Sequence, residues 1–236
     1  MMSPASFFDI DGTLIKGCLM TGFARYLHAR NLFSELYYAE IERLLKLFQE
    51  KQVTYRQVVT TVPALYGQGL KNRPMKTIQQ EARHYIEEVI ATSLYPYTLP
   101  LVKMMNQYAM TVGISGAPIE VVACLGEHFA FDLCYGSTFE VKQGLYTGRL
   151  KQNLTVKESK ETVFHKVIQQ YQIDLAKSFG FGDTQEDLSF LSRVGNPVAL
   201  NPNQELSFIA KQNGWTILHH GEDIISIIKK KLSLVS

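Results

Sequence analysis

From Pro96 onward the chain alternates short apolar runs with amphipathic helical stretches, and this alternation constrains the fold more than any other feature. A helix from Leu99 to Tyr108 leads into the apolar run Met110–Ile114, and a helix from Ile119 to Glu127 follows. Leu133–Leu150, with turn signals at Lys142-Gln143-Gly144 and Thr147-Gly148, predicts a hairpin. A helix from about Lys160 to Tyr171, a strand Ser178–Gly182, a short helix around Leu188, a strand Pro197–Leu200, a helix near Ser207 and a strand near Ile217 complete the series. Short apolar runs separated by helices are strands covered on both faces, so the expected fold class is α/β, a parallel sheet with helices on both sides. One more strand belongs to it: Ser6-Phe7-Phe8-Asp9-Ile10-Asp11, which runs into a turn at Gly12-Thr13.

Between that strand and Pro96 no strand pattern occurs. Phe23, Tyr26 and Leu27, then Ile41, Leu44, Leu45 and Phe48, recur at spacings of three and four. Ile78, Ala82, Tyr85, Ile86 and Val89 share one face of a second helical stretch, Ile78–Ile90. The expected organisation is a helical unit at residues 18–94 inserted into a core formed by residues 1–17 and 95–236.

Several function classes are disfavoured by composition. A net charge of +2 over 236 residues leaves no electrostatic footprint for nucleic acid. The basic run Lys229-Lys230-Lys231 reads as a solvated helix terminus. No stretch approaches the roughly 18 apolar residues of a membrane span, and the first residues lack a signal-peptide pattern, so a cytoplasmic protein is expected. Cys18, Cys124 and Cys134 have no metal-ligand spacing and read as free thiols of a reducing compartment. The histidines, including His219-His220, likewise lack ligand spacing.

In an open parallel sheet, ligands bind beyond the carboxyl ends of the strands. Three polar clusters fall there. In Asp9-Ile10-Asp11-Gly12-Thr13-Leu14, two aspartates two apart on a strand point to the same side and face one site. A lone Asp-x-Asp is more often a turn cap; the full string after an apolar strand favours function. Ser115-Gly116-Ala117-Pro118 offers a hydroxyl and backbone N–H groups at a helix start, which suit phosphate, although the same residues make an ordinary helix cap. Asp183-Thr184-Gln185-Glu186-Asp187 ends a strand with carboxylates four apart, suited to a hard cation such as Mg²⁺, or to capping a turn. A cation that balances phosphate is also required. Lys160 is the leading candidate, with Lys157 and Lys166 as rivals.

In order and spacing these clusters resemble the four motifs of the haloacid dehalogenase superfamily: Asp9 and Asp11 the first, Ser115 the second, Lys160 the third, Asp183 and Asp187 the fourth. The resemblance spans nearly the whole chain. It implies a Rossmann-like core with a C1-type helical cap inserted after the first strand, as in the phosphoserine-phosphatase branch. Tyr146-Thr147-Gly148-Arg149-Leu150 and Asn196–Pro202 look like the small hydrolases of subfamily IB. The resemblance further implies Mg²⁺-dependent hydrolysis of a phosphate monoester, with Asp9 as nucleophile and Asp11 as acid and base. Ser115, Gly116 and Lys160 would hold phosphate. Asp9, the Asp11 backbone carbonyl and Asp183 would bind the metal, with Asp187 ordering its water or Lys160.

One departure bears on substrate. Phosphoserine phosphatases carry a Glu nine residues after the nucleophile, where this chain has Cys18, and Thr60-Thr61-Val62 stands where an Arg for the substrate carboxylate is expected. Phosphoserine is therefore disfavoured, and a different small phosphorylated substrate is expected. Tyr26, Arg56, Tyr66 and Arg83 are candidates for contacting it, with packing or a solvated face as the competing reading. Phosphorylated protein side chains, phosphotransfer to an alcohol, and phosphate binding without turnover remain as alternatives.

Overall fold

In the computed structural model, which describes residues 2–235, the N-terminal apolar run forms β1 (Ala5–Phe8) at the centre of a seven-stranded sheet. Its alternate side chains supply both faces. Phe7 lies 4.8 Å, centroid to centroid, from Phe164 on one side, and Phe8 stacks 4.7 Å from Phe181 on the other. Both phenylalanines are fully buried, a contribution of roughly 2–3 kcal/mol each.

The remaining strands are β2 (Met110–Pro118), β3 (Leu133–Lys142), β4 (Leu145–Gln152), β5 (Phe179–Gly182), β6 (Asn196–Leu200) and β7 (Thr216–Leu218). Their order is β4-β3-β2-β1-β5-β6-β7, parallel throughout except for the antiparallel β3–β4 hairpin. Gln143 and Gly144, at φ 51° and 78°, supply the pair of positive φ angles that a two-residue hairpin turn needs. The chain builds one half of the sheet outward from β1. It then crosses back through a helix to lay β5 against β1's other edge, so the direction of winding reverses at β1 and opens a crevice at the strands' carboxyl ends.

Among the described residues ten α-helices and a 3₁₀ turn at Gln185–Asp187 complete the element order, the helices being α1 (Leu19–Ala29), α2 (Glu35–Gln49), α3 (Tyr55–Gly69), α4 (Met75–Ser93), α5 (Thr98–Tyr108), α6 (Ile119–Phe129), α7 (Lys157–Tyr171), α8 (Leu188–Leu191), α9 (Gln204–Gln212) and α10 (Ile224–Val235). Residues 18–94 thus hold four α-helices where apolar spacing outlined two stretches.

Pro63 inside α3 has a structural consequence. Proline lacks an N–H, so the carbonyl four residues earlier, that of Val59, loses its helical donor. Asn153 Nδ2, at 3.1 Å, and Thr155 Oγ1 donate to it instead. The loop leading into α7 is thereby tied to α3. Further along, Gln68 Nε2 donates to the Gly148 carbonyl, and the Asn72 amide to Tyr146 O, which docks α3 on the hairpin.

Two element boundaries differ from the sequence reading. Strand β2 runs on to Pro118, so Ser115 and Gly116 lie in extended chain four and three residues before α6 rather than at its first turn. Helix α7 starts at Lys157, which places Lys160 at its fourth position rather than its first.

Candidate active site

Strand β1 ends at Phe8, so Asp9 and Asp11 stand on the loop beyond it and not on a shared pleat. Their carboxylates consequently turn to different neighbours. Asp9 sends one oxygen to Lys160 Nζ at 2.6 Å and accepts the Thr13 hydroxyl on the other at 3.2 Å. Asp11 accepts the Leu19 amide at 2.7 Å on one oxygen and the Ser115 hydroxyl at 3.2 Å on the other. The turn that follows them is fixed by Gly12 at φ +81°, where a Cβ would lie 2.0 Å from an Asp183 oxygen.

Asp183 follows β5, and oxygen atoms of Asp9, Asp183 and Asp187 lie within 4.8 Å of one another. The Asp11 carboxylate is outside this trio. Asp187 serves two purposes. One oxygen accepts the Asp183 and Thr184 amides, both at 3.1 Å, and so caps the turn; the other accepts Lys160 Nζ at 2.7 Å. Asp187 thus caps the turn after β5 and also pairs with Lys160.

Of the three lysines considered, Lys160 is the buried one, held between Asp9 and Asp187; Lys166 is exposed. Ser115 is fully buried, and Gly116 packs so closely on Thr155 that a Cβ would approach its methyl to 2.6 Å.

Thr13 was not singled out by sequence reasoning, yet its hydroxyl sits between Asp9 and Asp183 Oδ1, the latter at 3.5 Å. The loop is braced from behind by Tyr97, whose hydroxyl donates to Thr13 O at 2.5 Å, and by Asn201, which donates to that hydroxyl at 2.7 Å. Nothing local in the sequence marks this bracing, because its partners are 84 and 104 residues apart.

Four carboxylates share this site with a single lysine. Burial first, then the Asp187 charge, push the Asp9 carboxyl up to about 7 in spite of Lys160. Burial raises Asp11 to about 6, opposed by the Leu19 amide, Lys160 and the Ser115 hydroxyl. Asp183 is raised well above the carboxylate range by burial and by Asp9 and Asp187. Lys160 is held above its ordinary value: burial alone lowers it, but Asp187 and Asp9 outweigh burial. Excess negative charge on hard oxygen donors is the environment a divalent cation fits, and Asp183, whose carboxylate accepts only the Thr13 hydroxyl at 3.5 Å, is the acid least committed elsewhere.

A pH dependence follows. Asp9 and Asp11 take up protons more tightly folded than unfolded, where the ordinary value is near 3.8. Their contribution to stability is thus greatest in acid and is lost as pH rises from about 4 towards 7. In EDTA the melting temperature is expected to fall between pH 5 and pH 7.5, as read by circular dichroism. A curve that climbs steadily over that window contradicts the raised carboxyls.

A cavity of about 340 Å³ lies over these groups, walled on one side by Asp9, Asp11, Lys160 and Asp183 and on the other by residues of α1–α3. Tyr26, Arg56, Tyr66 and Arg83 do not line it. Tyr66 is fully buried, Tyr26 lies under the Arg30 guanidinium, Arg83 pairs with Glu127 at 2.9 Å, and Arg56 is exposed. No helix among the described residues is long and apolar enough to cross a membrane.

Comparison with known proteins agrees with this layout. Phosphoserine phosphatase SerB1 of Mycobacterium tuberculosis is 26% identical over 220 residues, covering 92% of this chain and 70% of that one. Histidinol-phosphatase of Neisseria meningitidis is 25% identical, covering 92% and 99%. Among solved structures, a Bordetella pertussis protein of unknown function superposes with a TM-score of 0.76 at 20% identity, over 93% of this chain and all of that one. A phosphoserine phosphatase captured as a phospho-aspartyl intermediate analogue superposes with a TM-score of 0.67 at 18% identity, over 98% and 99%. The haloacid dehalogenase-like hydrolase family model matches residues 6–192, which contain every acid of the site together with Ser115 and Lys160. By that match the chain belongs to the haloacid dehalogenase-like hydrolases.

Proposed function

We propose that this hydrolase is a phosphatase that cleaves phosphate monoesters in two displacements at phosphorus, with Asp9 as the covalent carrier. The observation that carries the reading is the setting of Asp9. It stands at the sheet's switch point, 2.6 Å from Lys160 and beside Asp183, with Asp11 and Ser115 paired next to it at 3.2 Å. In the first displacement an Asp9 oxygen bonds to phosphorus as the ester oxygen departs, and Asp11 gives that oxygen its proton. In the second, Asp11 takes a proton from water, the hydroxide attacks phosphorus, and the Asp9 carboxylate leaves with inorganic phosphate as product. An Asp11 carboxyl raised to about 6 still holds a proton in part of the population near neutrality, as this double duty needs.

Ser115 Oγ, the Gly116 amide and Lys160 Nζ hold the equatorial phosphoryl oxygens, where charge lies in the transition state. Asp187 keeps Lys160 in place. A Mg²⁺ ion held by Asp9, Asp183 and the Asp11 backbone carbonyl would supply charge neutralisation at the phosphoryl group. Residues 18–94 act as a cap over a core of residues 1–17 and 95–236, keeping bulk water from the site. The three free cysteines support a reducing, cytoplasmic setting.

Acid quenching during turnover of an aryl phosphate is expected to leave one phosphoryl group on the peptide that contains Asp9, detected by mass spectrometry. Its appearance on a serine or histidine peptide instead defeats the assignment.

A further inference from the structure

The proposed chemistry leaves the ester's alcohol unspecified, but the wall that faces it is distinctive. The cavity receives Met20 from α1, Leu45 and Phe48 from α2, and Tyr55, Val58 and Val62 from α3, while no lysine, arginine, aspartate or glutamate of the insert lines it. Phe48 and Tyr55 lie with ring centroids 6.2 Å apart at its rim, and Phe48 is 37% exposed, so an apolar face meets whatever enters. Every charged group in the cavity comes from the core. The one core carboxylate there besides the site aspartates, Glu186, accepts the Lys157 amide at 2.6 Å. Cys18, at the start of α1, adds no charge to the wall, and Thr60 and Thr61 are exposed outside the cavity.

From this wall we infer that the substrate is a phosphomonoester of an uncharged, apolar alcohol, with the phosphate held by the core and an aliphatic or aryl body lodged against α1–α3. This rests on the phosphatase reading and assigns its substrate class. An apolar wall gains about 0.8 kcal/mol for each methylene it removes from water. Its polar groups are the Thr21 and Tyr55 hydroxyls; it offers no charged partner to an ammonium or carboxylate, and a charge placed against it loses hydration that a hydroxyl does not restore. Selection thus acts both ways, towards longer alkyl chains and against zwitterions such as O-phosphoserine.

The test is a steady-state comparison of hexyl phosphate, phosphoethanolamine and O-phosphoserine with Mg²⁺, alongside a generic aryl phosphate. The expected kcat/KM for hexyl phosphate exceeds that for either amine by about 100-fold or more. Inhibition should follow the same order, with hexylphosphonate binding more tightly than 2-aminoethylphosphonate. Val58→Glu, half-buried on the wall, is expected to reduce kcat/KM for hexyl phosphate about tenfold or more and to raise it for phosphoethanolamine. Val58→Leu is expected to keep the wild-type ranking, and melting temperatures confirm that both variants fold. Preference of the wild type for either amine overturns the inference while leaving the phosphatase reading intact. A lack of Mg²⁺-dependent hydrolysis of every ester, the aryl phosphate included, overturns both.

Discussion

Asp9→Asn protein is expected to hydrolyse an aryl phosphate at least about 10³-fold more slowly than the wild type, while unfolding in EDTA at an equal or higher temperature at pH 8. The two halves of this result have one cause. Asp9 is 4% exposed, and its carboxylate is placed among Asp11, Asp183 and Asp187 with a single lysine to offset them. Burial and the neighbouring acids raise it to about 7, so at pH 8 the folded protein carries an anion that it would hold more cheaply as an acid. The amide of Asn keeps the shape and removes the charge. Lys160 retains Asp187 at 2.7 Å, so no cation is stranded. The amide nitrogen is no nucleophile towards phosphorus, so the first displacement has no carrier. A gain or retention of stability together with loss of turnover separates a chemical role from a structural one, since an ordinary ion-pair partner would lower both. Activity within tenfold of the wild type sinks the nucleophile assignment. Proteins purified from cells that deamidate the new Asn would recover activity slowly, and mass spectrometry of the Asp9 peptide excludes that route.

How far the sequence anticipated the molecule depends on the range over which each feature is determined. Strand β1 and the loop carrying Asp9 and Asp11 are local: an apolar run, two acids and a glycine at positive φ are written in adjacent residues. The same holds for the hairpin, whose Gln143-Gly144 turn chooses its own geometry. Pairing of Asp9 with Lys160 joins residues 151 apart, and it was reached through the motif resemblance and not through spacing. The wider bracing was not legible. Thr13 between two acids, and Tyr97 and Asn201 behind the loop, are ordinary polar residues whose meaning appears only when distant elements meet. Helix α3 was obscured for a different reason. A proline and two glycines interrupt its helical signal, and tertiary contacts override their propensity. The carbonyl that Pro63 releases is satisfied by Asn153 and Thr155, about 90 residues further along the chain, an accounting that needs the fold before it closes. Likewise, Arg56 and Arg83 were plausible ligands by residue type, but one faces solvent and the other pairs with Glu127.

Lys160→Met should have the largest effect on stability of any single change at the site. The ammonium is 5% exposed and lies 2.6 Å from Asp9 and 2.7 Å from Asp187, whose side chain is wholly buried. Methionine is unbranched and adaptable like the lysine stem, so the main loss is the charge. Removing one partner of a buried ion pair costs roughly 3–5 kcal/mol, because the remaining charges stay buried without compensation. Here two carboxylates are left behind, in a site that already contains Asp183. The deficit has a defined pH dependence. Lys160 lowers the Asp9 carboxyl, so its removal raises that group further above the unfolded value near 3.8. Protonation of Asp9 then relieves the variant as pH falls, and the gap in denaturant midpoint between variant and wild type is expected to be widest near pH 8 and narrower near pH 5. Lys166→Met, at an exposed position, is the matched control and should shift stability by less than about 0.5 kcal/mol. Turnover in Lys160→Met is expected to fall about 10²–10³-fold even where the protein is fully folded, since a fixed charge on the phosphoryl oxygens is missing from the transition state. A variant that is as stable as the wild type at pH 8 in EDTA would mean that the lysine's charge does not offset the acids packed around it. The charge balance that assigns a cation to this site would then be wrong.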